Sequence, residues 1–324
     1  MKAIIWTKYG NPDSLQLAEI EKPVPGDDEI RIKIHATTVT AGDCELRDLT
    51  LQFPFNIMLR MYFGVFKPLR VQVLGMALAG KVESVGKNVT RFAAGDRVFA
   101  VTDTTFGAYA EYLCLAEDAP IAPIPANVSY QQATAIPVGG VDALHFLRKA
   151  NLQPGQHLLI NGAGGTIGTF GIQIAKQYGV EITAVDSGEK LAMLSEIGAD
   201  HVIDYTRDDF SKSGQHYDVI FDIVGKGTFL RSIRALKSEG LYLGANPHVL
   251  PLLQTVMLAP FSRKKIIFST ADYSPEDLQT LGTMAESGQL SPVIDRTYPL
   301  EDMAEAHRYV ESGRKQGNVT ISVA

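Results

Sequence analysis

A glycine-rich turn between an apolar run and a helical run gives the clearest chemical signal in the chain. In LLINGAGGTIGTFGIQIAK, residues 158–176, the pattern A-x-G-x-x-G begins at Ala163 and departs from the phosphate-binding fingerprint in its first glycine. Such glycines let the backbone approach a pyrophosphate, and the free N–H groups at the start of the next helix bind it. The strand–turn–helix context favours this interpretation over a purely structural turn. The predicted phosphate ligands are Gly164, Gly165, Thr166 and Ile167.

The stretch EITAVDSGEK, residues 181–190, carries two opposite signals about the cofactor. A dinucleotide site of this kind has an acidic residue about 20 residues after the turn, and Asp186 stands near that place. A carboxylate that binds the ribose hydroxyls favours NAD and repels a 2′-phosphate. Ser187 and Lys190 suit a phosphate, because a hydroxyl and an ammonium both donate to its oxygens. The residues alone leave the choice between NAD and NADP open.

The order of strand-like and helix-like runs predicts an α/β protein of two domains. The first third shows short alternating runs separated by turn residues, which favour a small β-rich barrel. Further along, strands alternate with helices of roughly 10–15 residues, the pattern of a doubly wound parallel sheet. These helices are predicted to end at Gly179, Gly198 and Gly240, which suit left-handed caps. The predicted domains are a β-rich one of residues 1–124 with 269–324 and a nucleotide-binding one of residues 125–268.

Composition and charge disfavour several classes of protein. The 324 residues carry a net charge of −6 and no long run of Lys or Arg, so nothing favours nucleic-acid binding. The two cysteines, Cys44 and Cys114, are too few for a disulfide framework and fit a reduced cytoplasmic setting. The N-terminus lacks the apolar core of a secretory signal, and the apolar residues 249–260 fall short of the ~18 residues of a membrane span. We expect a cytoplasmic protein with neither a membrane nor a nucleic-acid partner.

Residues 46–70 interrupt the β-rich pattern with a concentration of large apolar side chains, among them Phe53, Phe55, Tyr62 and Phe66. A helix or loop packed on the core explains them as well as an apolar wall or lid over a substrate cleft does. Tyr62 adds a hydroxyl that can donate a hydrogen bond to a substrate, so it is a candidate catalytic residue.

A series of motifs follows in fixed order along nearly the whole chain: MKAIIWTKYGNPDSLQL, VLGMALAGKVESVG, FAAGDRVFA, FGAYAEYL, LQPGQHLLINGAGGTIGTFGIQIAK, IGADHVIDYT and YPLEDMAEAHRYVESGRKQGNVTI. Together they resemble the medium-chain dehydrogenase/reductase superfamily, specifically its zinc-independent, zeta-crystallin-like quinone oxidoreductase branch. The resemblance implies a Rossmann domain with a doubly wound parallel sheet, an N-terminal β-rich GroES-like lobe, and a homodimer. It also implies an NAD(P)H-dependent oxidoreductase.

The residues at the zinc positions of this superfamily favour chemistry without a metal. Where zinc-dependent relatives have a Cys and a His-Glu pair, this chain has Thr40 and Met76-Ala77. Neither Thr nor Met suits a Zn²⁺ site. The resemblance therefore implies metal-free hydride transfer to a small quinone or an α,β-unsaturated carbonyl. It implies a catalytic hydroxyl donor in Thr40, at the place of a common active-site Asn, and a role near the cleft for Asp43.

The resemblance also shifts the choice of cofactor towards NADPH. Ser187, Lys190 and Tyr205 match positions at which NADPH-using relatives contact the adenosine 2′-phosphate, although Asp186 replaces a small neutral residue. The alternatives are an NADH-dependent zinc-free oxidoreductase of aldehydes or alcohols and a non-catalytic NADP-binding redox sensor. Further cofactor contacts are implied at Val224, Gly244, Ala245, Phe268, Ser269 and Asn318, the last where relatives commonly have Lys.

Overall fold

The chain forms two compact units, which we call the first unit, residues 1–138 with 273–324, and the second unit, residues 139–272. The predicted domain boundaries, 124/125 and 268/269, lie earlier in the chain than the observed divisions at 138/139 and 272/273. Phe53 of the aromatic segment and residues 259–260 of the apolar segment lie outside the described part of the chain. The computed structural model describes residues 1–50, 55–225, 227–246, 249–258 and 262–323.

The described strands of the first unit form two sheets. β1 (Lys2–Trp6) and β2 (Leu15–Glu19) pair with each other. The other strands are β3 (Glu29–Val39), β4 (Ala77–Val85), β5 (Arg97–Val101), β6 (Tyr112–Ala116), β7 (Ile121–Pro123), β14 (Ile294–Pro299) and β15 (Asn318–Ser322). They follow the order β14-β15-β3-β4-β5-β7, and β6 also pairs with β3. All these pairs are antiparallel except the pair β14–β15.

The long strand β3 shows why the larger sheet forms. In EIRIKIHATTV the side chains of Ile30, Ile32 and Ile34 are fully buried, whereas Arg31 and Lys33 between them are half-buried. This alternation places one face on a core and the other towards solvent. Because β15 pairs with β3, the end of the chain returns to the β-rich unit, as the sequence predicts.

Helices of the first unit begin where the sequence offers capping residues. Thr40 caps the helix that follows β3 directly, and Ser274 caps another, with its hydroxyl accepting from Asp277 N–H and Pro275 in the first position. The helices are α1 (Ala41–Asp48), α2 (Phe55–Phe63), α8 (Pro275–Glu286) and α9 (Met303–Glu311), and α3 (Tyr130–Ala150) contains the division between the units.

The second unit contains a six-stranded parallel sheet, which confirms the predicted α/β class. Its central strand is fully buried at Leu158, Leu159 and Ile160, as expected where helices cover both faces. The strand order reverses beside this strand, at the switch point where such sheets bind ligands. The strands, in the spatial order β10-β9-β8-β11-β12-β13, are β8 (His157–Asn161), β9 (Glu181–Asp186), β10 (His201–Asp204), β11 (Tyr217–Asp222), β12 (Leu236–Gly244) and β13 (Lys265–Phe268).

Two of the three predicted helix caps in the second unit are present. Gly179 and Gly198 have φ angles of 67° and 114°, in the region that favours glycine. The prediction for Gly240 is wrong, because this residue lies inside β12. A Cβ there would lie 2.9 Å from the Cδ2 of Leu236, so the glycine serves a close approach. No helix in the described ranges is long and apolar enough to span a bilayer. The helices are α4 (Thr166–Lys176), α5 (Leu191–Glu196), α6 (Phe229–Ala235) and α7 (Val249–Leu258).

Candidate functional site

The glycine-rich turn joins β8 to α4 at the carboxyl edge of the parallel sheet. Gly162 has a φ of 84°, so the tight turn begins one residue before the Ala163 of the sequence pattern. Gly165 caps α4 in an extended conformation. A Cβ on Gly168 would lie 2.5 Å from the Cα of Ala163, so this glycine allows the helix to pack against the turn. The first helical turn presents N–H groups that lack intrahelical acceptors, which fits a pyrophosphate.

Asp186 ends β9 with its carboxylate turned into the protein. Its Oδ2 accepts a hydrogen bond from Gly164 N–H, with an N···O distance of 2.8 Å. Its Oδ1 accepts from Ser187 N–H at 2.8 Å and lies 3.0 Å from Lys190 Nζ. Asp186 and Lys190 are each only 7% exposed. The carboxylate therefore holds the glycine-rich turn and the ammonium of Lys190 together.

The predicted adenosine-end residues lie where β9 and β10 end. Tyr205 follows β10, donates its N–H to the main-chain oxygen of Asp186 at 3.2 Å, and is 61% exposed. The half-buried Ser187 begins the turn after β9. Asp204 pairs with Asp186 in the strand register, and hydrogen bonds from Thr206 lower the pKa of Asp204. The structure thus brings Ser187, Lys190 and Tyr205 together.

Val224 borders the glycine-rich turn, since a Cβ on Gly162 would lie 2.8 Å from its Cγ2. Its position depends on Asp222, a fully buried residue at the end of β11 that sequence reasoning missed. The available signal was an acidic residue that ends the apolar run YDVIFD. Its carboxylate accepts hydrogen bonds from Asn161 Nδ2, Val224 N–H, Gly225 N–H, the Thr228 hydroxyl and the Tyr242 hydroxyl.

The other predicted contacts of the second unit lie at the ends of β12 and β13. A Cβ on Gly244 would lie 2.5 Å from the ring of Phe268, so the two strand ends pack closely. Ala245 follows Gly244, and Ser269 follows Phe268 with its Oγ 2.9 Å from His145 Nε2. These residues share the carboxyl edge of the sheet with the glycine-rich turn.

In the first unit, Thr40 and Asp43 form a reciprocal capping pair at the start of α1. Asp43 Oδ2 accepts hydrogen bonds from Thr40 N–H at 2.8 Å and from the Thr40 hydroxyl at 2.6 Å. Thr40 Oγ1 in turn accepts from Asp43 N–H at 3.1 Å. Burial raises the pKa of Asp43 to about 6, and the hydrogen bonds from Thr40 oppose that rise. The Thr40 hydroxyl hydrogen is therefore bound to Asp43 while the carboxyl group is ionised.

Tyr109 adds a second hydroxyl to this buried group. The Tyr109 hydroxyl also lowers the pKa of Asp43. The Tyr109 hydroxyl and Asp43 Oδ1 are both buried, and the two atoms do not form a hydrogen bond of normal geometry with each other. Behind them, Cys44 Sγ lies 3.3 Å from His307 Nδ1. Burial lowers the pKa of His307 to about 3 and raises that of the Cys44 thiol, so both groups are neutral at physiological pH. This Cys–His contact is part of the core.

The aromatic segment is only weakly anchored. Among the described residues of α2, Phe63 alone is buried, and it packs edge to face on Trp6 with ring centroids 5.7 Å apart. Tyr62 is 39% exposed, and the Arg70 guanidinium carbon lies 4.2 Å from its ring centroid. Core packing therefore explains Phe63, and it leaves Tyr62 accessible as a candidate donor.

Asn318 and the positions compared with the zinc ligands of relatives also lie in the first unit. The buried Asn318 amide donates to the Val293 carbonyl oxygen at 2.9 Å, so it holds β15 in place, and its cofactor role stays a prediction. Thr40 and Met76-Ala77 occupy the positions compared with zinc ligands. Within the described ranges, no three His, Cys, Asp or Glu side chains are grouped so as to hold a metal ion.

Comparisons with known proteins extend over the whole chain. Residues 26–126 match the alcohol dehydrogenase GroES-like domain, and residues 197–321 match the zinc-binding dehydrogenase family. The chloroplastic NADPH-dependent alkenal/one oxidoreductase of Arabidopsis thaliana is 30% identical over 99% of this chain and 79% of its own length. A quinone oxidoreductase of Pseudomonas aeruginosa is 29% identical over 99% of both chains. The structure of Escherichia coli quinone oxidoreductase complexed with NADPH matches all of both chains at 25% identity, with a TM-score of 0.84.

Proposed function

Because the chain is an NAD(P)H-dependent oxidoreductase and belongs to the zinc-independent quinone oxidoreductase branch of the medium-chain dehydrogenase/reductase superfamily, we propose that it uses NADPH to reduce quinones or α,β-unsaturated carbonyls. The observation that carries the choice of NADPH is the direction of the Asp186 carboxylate. The names of the Arabidopsis relative and of the Escherichia coli complex, which both include NADPH, support the same choice.

An outward-facing carboxylate at the end of β9 would bind ribose hydroxyls and repel a 2′-phosphate. Asp186 instead directs its oxygens to Gly164 N–H, Ser187 N–H and the Lys190 ammonium, so most of its acceptor capacity is used inside the protein. The one residue that argued against NADPH therefore directs these oxygens into the protein. Ser187, Lys190 and Tyr205 are proposed to border the 2′-phosphate.

When bound, the reduced nicotinamide supplies the hydride. The glycine-rich turn and the start of α4 would hold the pyrophosphate of this cofactor. Thr40 is proposed to donate its hydroxyl hydrogen to the substrate oxygen on which negative charge develops. For this the hydrogen must leave Asp43 Oδ2, and protonation of Asp43 makes that exchange easier because a carboxylic acid is a weaker acceptor than a carboxylate.

Two measurements test the proposal. Fluorescence titration should give a lower dissociation constant for NADPH than for NADH. Steady-state assays should show oxidation of NADPH by small quinones or enones, and activity should persist in protein dialysed against a chelator and shown by elemental analysis to lack zinc. A preference for NADH would favour the NADH-dependent oxidoreductase instead. Tight NADPH binding without turnover across the panel would favour the redox sensor.

We further propose a homodimer in the cytoplasm that acts on small molecules and binds neither nucleic acid nor membrane. In the described sheet, β13 is an edge strand that pairs on one side only, with β12. The helix α7, which precedes β13 in the chain, exposes apolar side chains, of which Val256 and Met257 are 72% and 74% exposed. An unpaired strand edge and an exposed apolar helix surface are each a ready contact for a second copy.

A further inference from the structure

We propose that Arg207 supplies the positive charge by which the chain selects NADPH over NADH. No sequence pattern marks this residue, and the motif comparison assigned the charge to Lys190. The inference rests on the proposed function, because it names the side chain that would recognise the 2′-phosphate of the same cofactor.

The charge of Lys190 is already balanced inside the protein. Its Nζ lies 3.0 Å from Asp186 Oδ1, and the side chains of both residues are only 9% exposed. The lysine stem packs under the glycine-rich turn, because a Cβ on Gly164 would lie 2.5 Å from Lys190 Cδ. Moving the ammonium to a phosphate would leave a buried carboxylate without its cation, which is strongly unfavourable. The Asp186–Lys190 pair is neutral overall. It can line the adenosine pocket, but it does not distinguish NADPH from NADH by charge.

Arg207 is free to move, in contrast to Lys190. Its side chain is 84% exposed, and the ion pair the structure gives it joins its Nε to Asp204 Oδ2 at 3.6 Å. Exposed pairs of this kind are held weakly, and Arg207 can exchange its partner at little cost. Its guanidinium can bind two oxygens of a phosphate at once, which an ammonium cannot do.

Asp204 keeps this guanidinium near the turn after β9. Its Oδ1 accepts hydrogen bonds from Thr206 N–H at 2.9 Å and from the Thr206 hydroxyl at 2.7 Å, so the carboxylate is held in place. Its Oδ2 faces the turn after β9, since a Cβ on Gly188 would lie 2.6 Å from it. Arg207 is therefore tethered beside the turn that begins at Ser187, on the strand end that also carries Tyr205.

The surrounding charges make the role of Arg207 specific. Besides Asp204, the acidic residues Glu189 and Asp208 lie on the two segments that border this end of the sheet. Removing Arg207 makes this group of charges one unit more negative and so increases the repulsion of a phosphate dianion, whereas a ribose hydroxyl carries no charge to be repelled. Loss of this one cation should therefore weaken NADPH binding and leave NADH binding nearly unchanged.

The experiment measures dissociation constants for NADPH and NADH in the full-length protein and in its variants. Arg207→Ala should raise the NADPH constant about 10-fold and change the NADH constant less than about 2-fold. Arg207→Lys should restore part of the preference. Lys212→Ala is the matched control, because Lys212 is 80% exposed and pairs at i,i+3 with Asp209 at 4.0 Å. It removes the same charge nearby and should leave both constants within about 2-fold.

Three outcomes would overturn the inference. If Arg207→Ala leaves the NADPH constant unchanged while Lys190→Met raises it selectively, the selecting charge is Lys190 and the proposed function stands. If Arg207→Ala weakens both cofactors equally, or if Lys212→Ala matches its effect, Arg207 has a structural or a long-range role. If the unaltered protein binds NADH as well as NADPH, the proposed cofactor fails and the inference fails with it.

Discussion

The carboxyl group of Asp43 makes stability depend on pH at a single residue. Burial raises its pKa from 3.8 to about 6, so the folded chain binds this proton more tightly than the unfolded chain. The resulting stabilisation is complete below pH 4 and is lost as the pH rises to about 6, and it amounts to roughly 3 kcal/mol. Asp43→Asn cannot titrate and should lack this loss. Urea unfolding between pH 4 and pH 7 measures the difference.

The control for this prediction is Asp118→Asn, which changes an exposed aspartate in the same unit. It should show the same pH dependence as the unaltered chain. If Asp43→Asn and the unaltered chain change equally in unfolding free energy between pH 4 and pH 6, Asp43 does not supply this pH dependence.

The Thr40 hydroxyl leads to a second prediction at the residue scale. Thr40→Val removes the proposed donor and should lower kcat about 10-fold while leaving the NADPH dissociation constant unchanged. It also removes an N-cap worth about 1 kcal/mol, so unfolding must be measured beside activity. Thr40→Ser keeps both the hydroxyl and the cap and should retain kcat. Equal rates in the Val and Ser variants would exclude Thr40 as the donor.

At this scale the sequence identifies residue types but not their directions. It singled out Asp186 and Lys190 as residues that bear on the choice of cofactor. It could not show that Gly164 N–H, distant in sequence, donates a hydrogen bond to Asp186 Oδ2 and turns the carboxylate inward. Buried Asp222 escaped notice for the same reason, since its five donors come together only in the folded sheet.

At the scale of elements, the packing of α4 on the glycine-rich turn depends on Gly168. A Cβ there would lie 2.5 Å from Ala163 Cα and Ala163 O, and backbone atoms cannot move aside cheaply. Gly168→Ala should destabilise the fold by about 1–3 kcal/mol and raise the dissociation constants of both NADPH and NADH. Thermal unfolding and fluorescence titration measure the two effects.

Gly171→Ala is the matched control on the same helix. Its nearest contact would be the Cδ1 of Ile160 at 3.4 Å, so the methyl group fits with little movement. Alanine also favours a helix over glycine by about 0.5–1 kcal/mol. The variant should bind both cofactors normally and unfold no earlier. A Gly168→Ala protein as stable as this control would contradict the account of the turn.

The same elements show how far periodicity and turn residues determine boundaries. Gly179 and Gly198 were identified as caps because each follows a long helical run and needs a positive φ. Gly240 misled the prediction, because β12 begins at Leu236 and the glycine meets a close strand contact instead. In the glycine-rich turn, the fingerprint was matched from Ala163, whereas the left-handed residue is Gly162. Glycine type alone does not distinguish a cap from a close approach.

At the scale of the whole molecule, the class of fold follows from the sequence pattern more securely than any site does. The alternation of strands and helices predicted the parallel sheet, and the short β-rich runs predicted the first unit, because both patterns repeat over many residues. Pairings between distant segments, such as β15 with β3, needed the motif order as well. The sequence showed that the apolar residues 249–260, which include α7, are too few for a membrane span, and an experiment on assembly tests whether α7 forms a dimer contact.

The assembly prediction concerns the edge of the parallel sheet. If two copies join through β13 and α7, light scattering after gel filtration should give twice the 35.2 kDa of one chain. The double variant Val256→Glu, Met257→Glu places two carboxylates on that apolar surface and should shift the protein to a monomer, because burying unpaired charges opposes association. Val24→Glu, at a 79% exposed apolar residue of the first unit, should leave the dimer intact. A dimer that survives the α7 changes would have to use another surface, and a monomeric unaltered chain would remove the proposal.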